Sequence, residues 1–595
     1  VTVAADDAVA SGADAALLRR LLGFLRPYRL PVAGALVLLL ASAALQLAGP
    51  LLTRRALDVA VPARDTGLLT TLALAFLAVL VLEFAVDYAH TLLTTWVGQR
   101  VMADLRMRIF GHLQQLGVAY FDRHPVGRLM TRVTSDVETL NELFSSGVVT
   151  VVGDVVTLVA IVAMMVALDW RLALVACAVI PLVWLAARLF RRSVRDAFRD
   201  IRTRLARLNA YLQEQLAGVR VVQLFGREAA SAARFAEVNR DHLEAHLRSI
   251  TIYAVFFPVV EFLTTVALAL LLWFGGLRLA DGTLTIGVLA AFMQLTRRFF
   301  QPLQDLSEKF NLLQSAMASS ERIFRLLDEP VAVPEPACPV PLPVPARGRV
   351  VFEDVWFRYR DDAPWVLRGV SFVAEPGTLV ALVGHTGAGK TTIVSLLLRF
   401  YDPVRGRITV DGTDLRDLAF ADLRGLLGYV QQDLFLFAGD ILHNIRLDGE
   451  VTEAAALAAA RQVGADRFVA RLPGGWGHVL GERGRSLSVG ERQLLSFARA
   501  LARDPRILVL DEATSSVDAE AEAQIQAAVG TLRRGRTTLA IAHRLSTILH
   551  ADQILVLHHG ELVERGRHAE LLARGGLYAR LHELQLGAGA GAAGA

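Results

Sequence analysis

Residues 384–392 read GHTGAGKTT, a G-x-x-x-x-G-K-T pattern, and their flanks decide how the second half of the chain is built. TLVALV at 378–383 is a short, apolar, β-branched run that reads as a buried strand, and TTIVSLLLRFY at 391–401 reads as a helix. A strand, a glycine-rich loop and a helix in that order form a phosphate cradle. Gly384, Gly387 and Gly389 let the backbone turn tightly, so that successive N–H groups through His385, Thr386 and Ala388 face phosphate oxygens. The helix dipole adds positive potential at Lys390, Thr391 and Thr392. Lys390 is placed to reach the outer phosphates, and the Thr391 hydroxyl to ligate Mg2+. Only Lys309 and Lys390 are lysines among the 62 basic residues. A slim ammonium bends back over such a loop where arginine's planar fork does not fit, so this lysine is informative.

RILVLDEATSSVD at 506–518 supplies the complement, a hydrophobic strand ending in two acids about 120 residues further on. Asp511 is placed to hold the metal through water, and Glu512 to polarise a water for attack on a γ-phosphate. Ser488 and Gly490 stand at a helix start, where free N–H groups and a hydroxyl bind an anion. TTLAIAH at 537–543 is a further short apolar run, and helical stretches lie between the runs. The expected fold of this half is α/β, a largely parallel sheet covered by helices.

The first half has a different solvent. A chain of 595 residues with 54% hydrophobic and 20% charged residues exceeds one compact core, and its long uncharged runs are confined to the N-terminal half. From Arg29 to Arg54 no charge appears, and the 24 residues between them, at about 1.5 Å each, span a hydrocarbon core of about 30 Å. Further runs centre on 68–82, 143–168, 172–187, 250–276 and 284–295, giving six expected membrane helices. Asp169 to Arg171 and Arg278 to Asp281 are tight links, whereas 98–142 and 188–248 are long and charged, the latter with thirteen arginines. Positive charge is retained in the cytoplasm, so the long loops are expected there. RRLLGFLRPYR at 19–29 fits either an amphipathic helix on the inner membrane surface or an ordinary start to the first span. The long loops keep helical spacing except at HPVGR, 124–128, and AGVRVVQLFGRE, 217–228, which read as tips where another domain docks or as plain turns.

Seven prolines between Pro330 and Pro345 mark an extended connector. The expected domains are a disordered N-terminus at 1–16, a membrane domain at 17–328, a linker at 329–347, a nucleotide-binding domain at 348–586 and a low-complexity tail at 587–595. The N-terminal residues lack the basic-then-apolar order of a signal peptide, so targeting is expected from the internal spans. A net charge of +4 with no basic, aromatic-interleaved face excludes nucleic acid as a partner. Cys177 and Cys338 stand in contexts that suggest neither a disulfide nor a metal site.

SLSVGERQLLSFARAL at 486–501 resembles the signature of ATP-binding cassette (ABC) proteins, and the likeness covers the whole soluble half. It implies ATP and Mg2+ as cofactors. It also implies roles for Tyr359 in stacking on adenine, Gln432 in meeting Mg2+ and sensing the γ-phosphate, Glu482 near the docking helices, Asp518 in the dimer-contact loop and His543 as the switch histidine. Ser488, Gly490 and Glu491 would close over nucleotide held by another copy's phosphate loop. Val489 and Glu491 depart from the glycine and glutamine often found at those positions.

Six spans, a linker and one cassette on one chain resemble exporter half-transporters, including multidrug and lipid-translocating members. The resemblance implies a twelve-span dimer with a second half, the same chain or a homologous subunit, in a plasma (inner) membrane with the cassettes cytoplasmic. It also implies outward movement of a small amphipathic substrate, and it places the two tips near the coupling helices. Glu261, with Phe256 and Phe257 nearby, is expected either to border a site for an amphipathic cation or to pair with an arginine, and Asp154 interrupts the third span. Pro258 is expected to kink the fifth span. A nucleotide-gated channel or regulatory membrane protein remains the competing class. A peptide-processing exporter is not expected, because no cysteine precedes the first span.

Overall fold

The computed structural model describes residues 14–432, 434–447, 449, 451–511, 519–541 and 548–592. Contacts divide the chain into two units, residues 1–114 with 126–329 and residues 115–125 with 330–595.

The first unit is helical. In chain order the helices are α1 Asp14–Gly23, α2 Arg29–Arg55, α3 Thr66–Gln115, α4 Val118–Arg123, α5 Val126–Thr131, α6 Val137–Glu142, α7 Val148–Leu168, α8 Trp170–Cys177, α9 Ile180–Ala217, α10 Val219–Leu224, α11 Glu228–Ala280 and α12 Ile286–Leu327. Four segments, Arg26–Ala60, Thr66–Gln115, Trp170–Ala217 and Glu228–Ala280, are long and apolar enough to cross a bilayer. The other two expected spans fall on α7, apolar over Val152–Leu168, and on α12. With 50 and 53 residues, α3 and α11 are about 75 and 80 Å long, far more than a hydrocarbon core requires. Helix α7 runs unbroken through Asp154, and α11 continues as one helix through Pro258.

RRLLGFLRPYR runs into the first span only at its end, from Arg26. It divides into α1 and a short turn, and α1 is clasped to α12, where Arg20 donates to both oxygens of Asp328 at 2.7 Å and lies over the Phe324 ring. At the opposite ends of the spans, Asp169 caps α8 by accepting from the N–H groups of Arg171 and Leu172. It also accepts from Arg278 at 2.6 Å, which fastens the two tight links together. Apolar packing of Met165, Leu172, Leu271, Phe292 and Phe300 fills the space between these helices.

The second unit carries two main sheets. Its elements are β1 Val350–Phe357, β2 Leu367–Ala374, β3 Leu379–Val383, α13 Lys390–Leu397, β4 Arg405–Val410, β5 Thr413–Asp414, α14 Phe420–Leu426, β6 Leu427–Val430, β7 Gly439–Asp440, α15 Ile441–Arg446, α16 Glu453–Gln462, α17 Asp466–Val469, β8 Val479–Leu480, α18 Val489–Leu501, β9 Ile507–Asp511, α19 Ala519–Arg533, β10 Thr537–Ile541, β11 Gln553–His558 and β12 Glu561–Gly566. The larger sheet runs β12-β11-β3-β10-β9-β6 and is parallel except at β12. Every residue of β3 and β10 is buried, as a sheet covered on both faces demands. A separate antiparallel sheet, β2-β1-β4-β5, goes beyond the expected single parallel sheet. Helix α13 ends at Leu397 rather than 401, because Arg399 takes a left-handed φ of 52°.

One stretch groups differently from the expected division. Residues 115–125, expected within the membrane domain, group with the second unit. The physical reason is local: Tyr401 donates its hydroxyl to Asp122, so α4 is fastened to the second unit. The proline-rich connector contains no helix and lies along the same unit. The buried Arg399 guanidinium donates to the Pro334 carbonyl at 3.1 Å, and the Val340 N–H donates to the Asp417 carbonyl at 2.8 Å.

The β11–β12 turn is a close fit. His559 and Gly560 both have positive φ, 46° and 83°, as a two-residue hairpin turn of the primed type requires. A Cβ on Gly560 would stand 2.2 Å from the Val366 carbonyl oxygen. Gly560→Ala is therefore expected to cost about 2 kcal/mol or more and to lower the melting temperature of the full chain by several degrees. An unchanged melting curve would contradict this reading.

Candidate functional site

The parallel strands bring several of the singled-out residues to one edge. Ile541 of β10 pairs with Leu382 of β3 and Asp511 of β9, while Leu510 pairs with Val430 of β6. The loop after β3 starts at Gly384, Asp511 ends β9, and Gln432 follows β6 on the surface, so all three lie beyond the carboxyl ends of the strands. Glu512, Asp518 and His543 lie outside the described residues.

The loop's glycines answer to specific neighbours. Gly384 abuts β11, where an added Cβ would come 2.4 Å from the Leu557 carbonyl oxygen. Gly389, at φ 102°, caps α13, and a Cβ there would meet Leu367 Cδ2 at 2.6 Å. Thr386 and Gly387 are exposed, and Ala388 is fully buried beneath them. Lys390 keeps only 7% exposure, and its Nζ donates to the carbonyls of Gly384 (2.7 Å) and His385 (3.0 Å). The ammonium thus lies folded over the loop.

Burial pulls Lys390 below the usual ammonium range, and the charge of Asp511 opposes that shift. Burial, with the same carboxylate adding to it, pushes Tyr429 up to about 12. The Asp511 charge thus acts on both Lys390 of α13 and Tyr429 of β6. Thr391 is exposed at the first turn of α13, whereas Thr392 is buried and shares a 3.0 Å hydrogen bond with the Tyr359 hydroxyl. Tyr359 is 45% exposed and stands edge-on to Phe357 and Tyr401. An aromatic surface therefore adjoins the phosphate loop. Thr391, Gln432 and Asp511 offer only oxygen donors, the set preferred by a hard cation such as Mg2+.

Ser488 caps α18 in a reciprocal box. Its hydroxyl accepts from the Glu491 N–H at 3.2 Å, and the Glu491 carboxylate accepts from the Ser488 N–H at 2.9 Å. Gly490 is buried and Val489 is 38% exposed. Glu482 is exposed in a short turn before the helix. Arg499, on the same helix, was not singled out from the sequence. Its half-buried guanidinium donates to the carbonyls of Asn444 (2.8 Å) and Phe435 (3.0 Å), which ties α18 to the segment after Gln432. An arginine three turns into a helix carries no distinguishing local signal.

The two tips differ. Helix α4 belongs to the cassette unit, while α10 stays with the membrane unit and exposes Val221, Leu224 (79%) and Phe225 (70%). Glu261 is exposed on α11, and no ion pair to it occurs among the described residues; Phe256 instead stacks on Phe190 at 3.9 Å.

The first unit also holds a polar cluster, beyond the run centred on 68–82, that sequence reading did not single out. Helix α3 continues through Glu83, Asp87 and His90. Ser42, near the middle of α2, donates to Asp87, and Arg298 of α12 donates to the Gln46 carbonyl at 2.8 Å with Glu83 at 3.8 Å. The i, i+4, i+7 spacing of 83, 87 and 90 was the available signal for one polar face.

Comparison with known proteins follows the same division. Residues 32–303 match the ABC transporter transmembrane region and residues 367–515 the ABC transporter family model. A fatty acid ABC transporter ATP-binding/permease protein of Mycobacterium tuberculosis is 43% identical over 509 residues, 85% of this chain and 80% of that one. An ATP-dependent lipid A-core flippase of Syntrophus aciditrophicus is 37% identical over 570 residues, covering 96% and 94%. The solved structure of a bacterial Atm1-family ABC exporter with ATP bound superposes with a TM-score of 0.76 at 29% identity, covering 94% and 98%.

Proposed function

The chain belongs to the ABC transporter family, as an exporter half-transporter that hydrolyses ATP to drive transport, and on that premise we propose that two copies export or flip a lipid-like amphipathic compound. The observation that carries this reading is the alignment of a phosphate loop, an acid and a glutamine at one sheet edge in a chain whose other unit is built of membrane helices. Relatives named for fatty acid and lipid A-core transport support a lipid-like substrate.

Each residue is then assigned a task. Tyr359 offers the face on which adenine stacks, and the N–H groups from Gly384 to Gly389 and the start of α13 hold the phosphates. Lys390 turns its ammonium to the outer phosphates. Thr391, Gln432 and Asp511 would hold Mg2+, which neutralises charge as the terminal phosphate leaves. Glu512 polarises the attacking water, and His543 holds the terminal phosphate. Ser488, Gly490, Glu491 and Asp518 complete the site of the other copy.

Dimerisation also accounts for the unequal tips. Tip α4 is seated on its own chain's cassette unit, and the exposed apolar tip α10 is left for the partner's cassette. Trp184 followed by Arg188, Arg191, Arg192 and Arg195 on α9 marks a membrane interface with its basic side in the cytoplasm. The cassettes are therefore cytoplasmic, in the inner or plasma membrane.

Flux in sealed proteoliposomes tests the function. ATP-dependent accumulation or flipping of a labelled lipid against its gradient is expected, and purely dissipative flow would instead support a gated channel. Glu261, exposed on a spanning helix, borders the substrate path in the dimer. Glu261→Gln is expected to lower substrate-stimulated ATPase several-fold while sparing the basal rate, and equal stimulation in the variant would remove this residue from the path.

A further inference from the structure

Beside the phosphate loop stands a group of side chains that the transport cycle does not use. His385, His558 and His559 each place one ring nitrogen within 4.8 Å of the others. Their rings meet edge-on, with centroids 5.2 Å (385 to 558), 5.1 Å (385 to 559) and 4.2 Å (558 to 559) apart.

Two features separate this group from a chance meeting of surface histidines. His385 Nδ1 lies 2.8 Å from the Thr386 carbonyl oxygen, which can only accept, so Nδ1 carries a proton and Nε2 is the nitrogen left to ligate a metal. A ring fixed in this way by a backbone carbonyl is the arrangement typical of a metal-ligating imidazole. Moreover, His385 Nε2 and His558 Nδ1 are both buried and have no hydrogen-bond partner among the described residues. Two buried, unpaired imidazole nitrogens within one group of three rings are costly unless something binds them.

The backbone holds the three rings together. The positive-φ turn at His559–Gly560 is anchored by the Arg368 N–H, which donates to the Gly560 carbonyl at 2.8 Å. Gly384 lies against the Leu557 carbonyl, so the start of the phosphate loop is pressed onto the same hairpin.

We propose that His385, His558 and His559 form a binding site for a first-row transition ion of the zinc class, bridging the phosphate loop and the β11–β12 turn. Three imidazole ligands suit Zn2+, and all-nitrogen donors disfavour Mg2+ and Ca2+. Zn–N bonds of about 2.0–2.1 Å put tetrahedral ligand atoms about 3.3 Å apart, so side-chain rotations closing the group by up to about 1.5 Å complete it. The site is distinct from the oxygen donors assigned to Mg2+.

Co2+ is the probe. Metal-stripped, nucleotide-free full-length protein, purified without a polyhistidine tag, is expected to develop visible Co2+ absorption at one ion per chain, abolished by equimolar Zn2+. His559→Asn keeps a residue that tolerates the left-handed turn, and with His558→Gln it is expected to weaken Co2+ binding at least 100-fold while leaving the metal-free ATPase rate unchanged. Zn2+ is further expected to protect the exposed His559 of the wild-type chain, and not His568 or His582, from carbethoxylation mapped by mass spectrometry. That measurement does not depend on a variant folding. Absence of stoichiometric Co2+ absorption, the same affinity in the double variant, or no selective protection would each overturn the site.

Discussion

Lys390→Met is expected to lower ATP hydrolysis by about 10²–10³-fold, the loss typical when one charged stabiliser is removed from a preorganised site. The substitution keeps the unbranched stem and removes only the ammonium, which matters because the side chain is 93% covered. No other described lysine can replace it, and an arginine would have to force its fork under the Gly384 and His385 carbonyls. Binding should suffer together with turnover. A fluorescent ATP analogue titrated into the reconstituted dimer is expected to bind at least tenfold more weakly. Full turnover in this variant would sink the assignment of residues 384–392 as the nucleotide cradle.

Glu512→Gln separates binding from chemistry. Asp511 closes β9 at the sheet edge that carries the loop, and the next residue is the carboxylate assigned to the attacking water. An amide of the same shape cannot accept that proton, so turnover should fall by about 10²–10⁴-fold, the contribution typical of a positioned general base. Nucleotide affinity should remain within a few-fold of wild type, and ATP should persist in the purified dimer. The pair of variants thus has opposite signatures, one empty and inactive, the other loaded and inactive. Loss of binding in Glu512→Gln would refute a purely catalytic role.

The second half was legible where both faces of a strand are buried. TLVALV and RILVLD are uniform apolar runs for that reason, and they are β3 and β9. The antiparallel sheet was harder to read. In β1 the pairing shifts register between Phe352 and Val355 and again before Phe357, so its two-residue alternation is broken where it would have been counted. In the membrane half, the run centred on 68–82 continues as one helix through Glu83 and Asp87, and Asp87 accepts from Ser42 near the middle of α2. Partners on neighbouring helices allow acids inside the span.

The amino-acid order alone determined the strand, glycine turn and helix start at residues 379–397, because they are neighbours in the chain and their backbone geometry is set locally. It also determined the membrane location, because runs of apolar residues need no partner to declare their solvent. Tertiary structure alone decided that residues 115–125 belong with the cassette unit, that Glu83 and Asp87 are paired within the membrane half, and that His385 meets His558 and His559. Those are contacts between residues far apart along the chain, whose separation in space depends on how every intervening element packs.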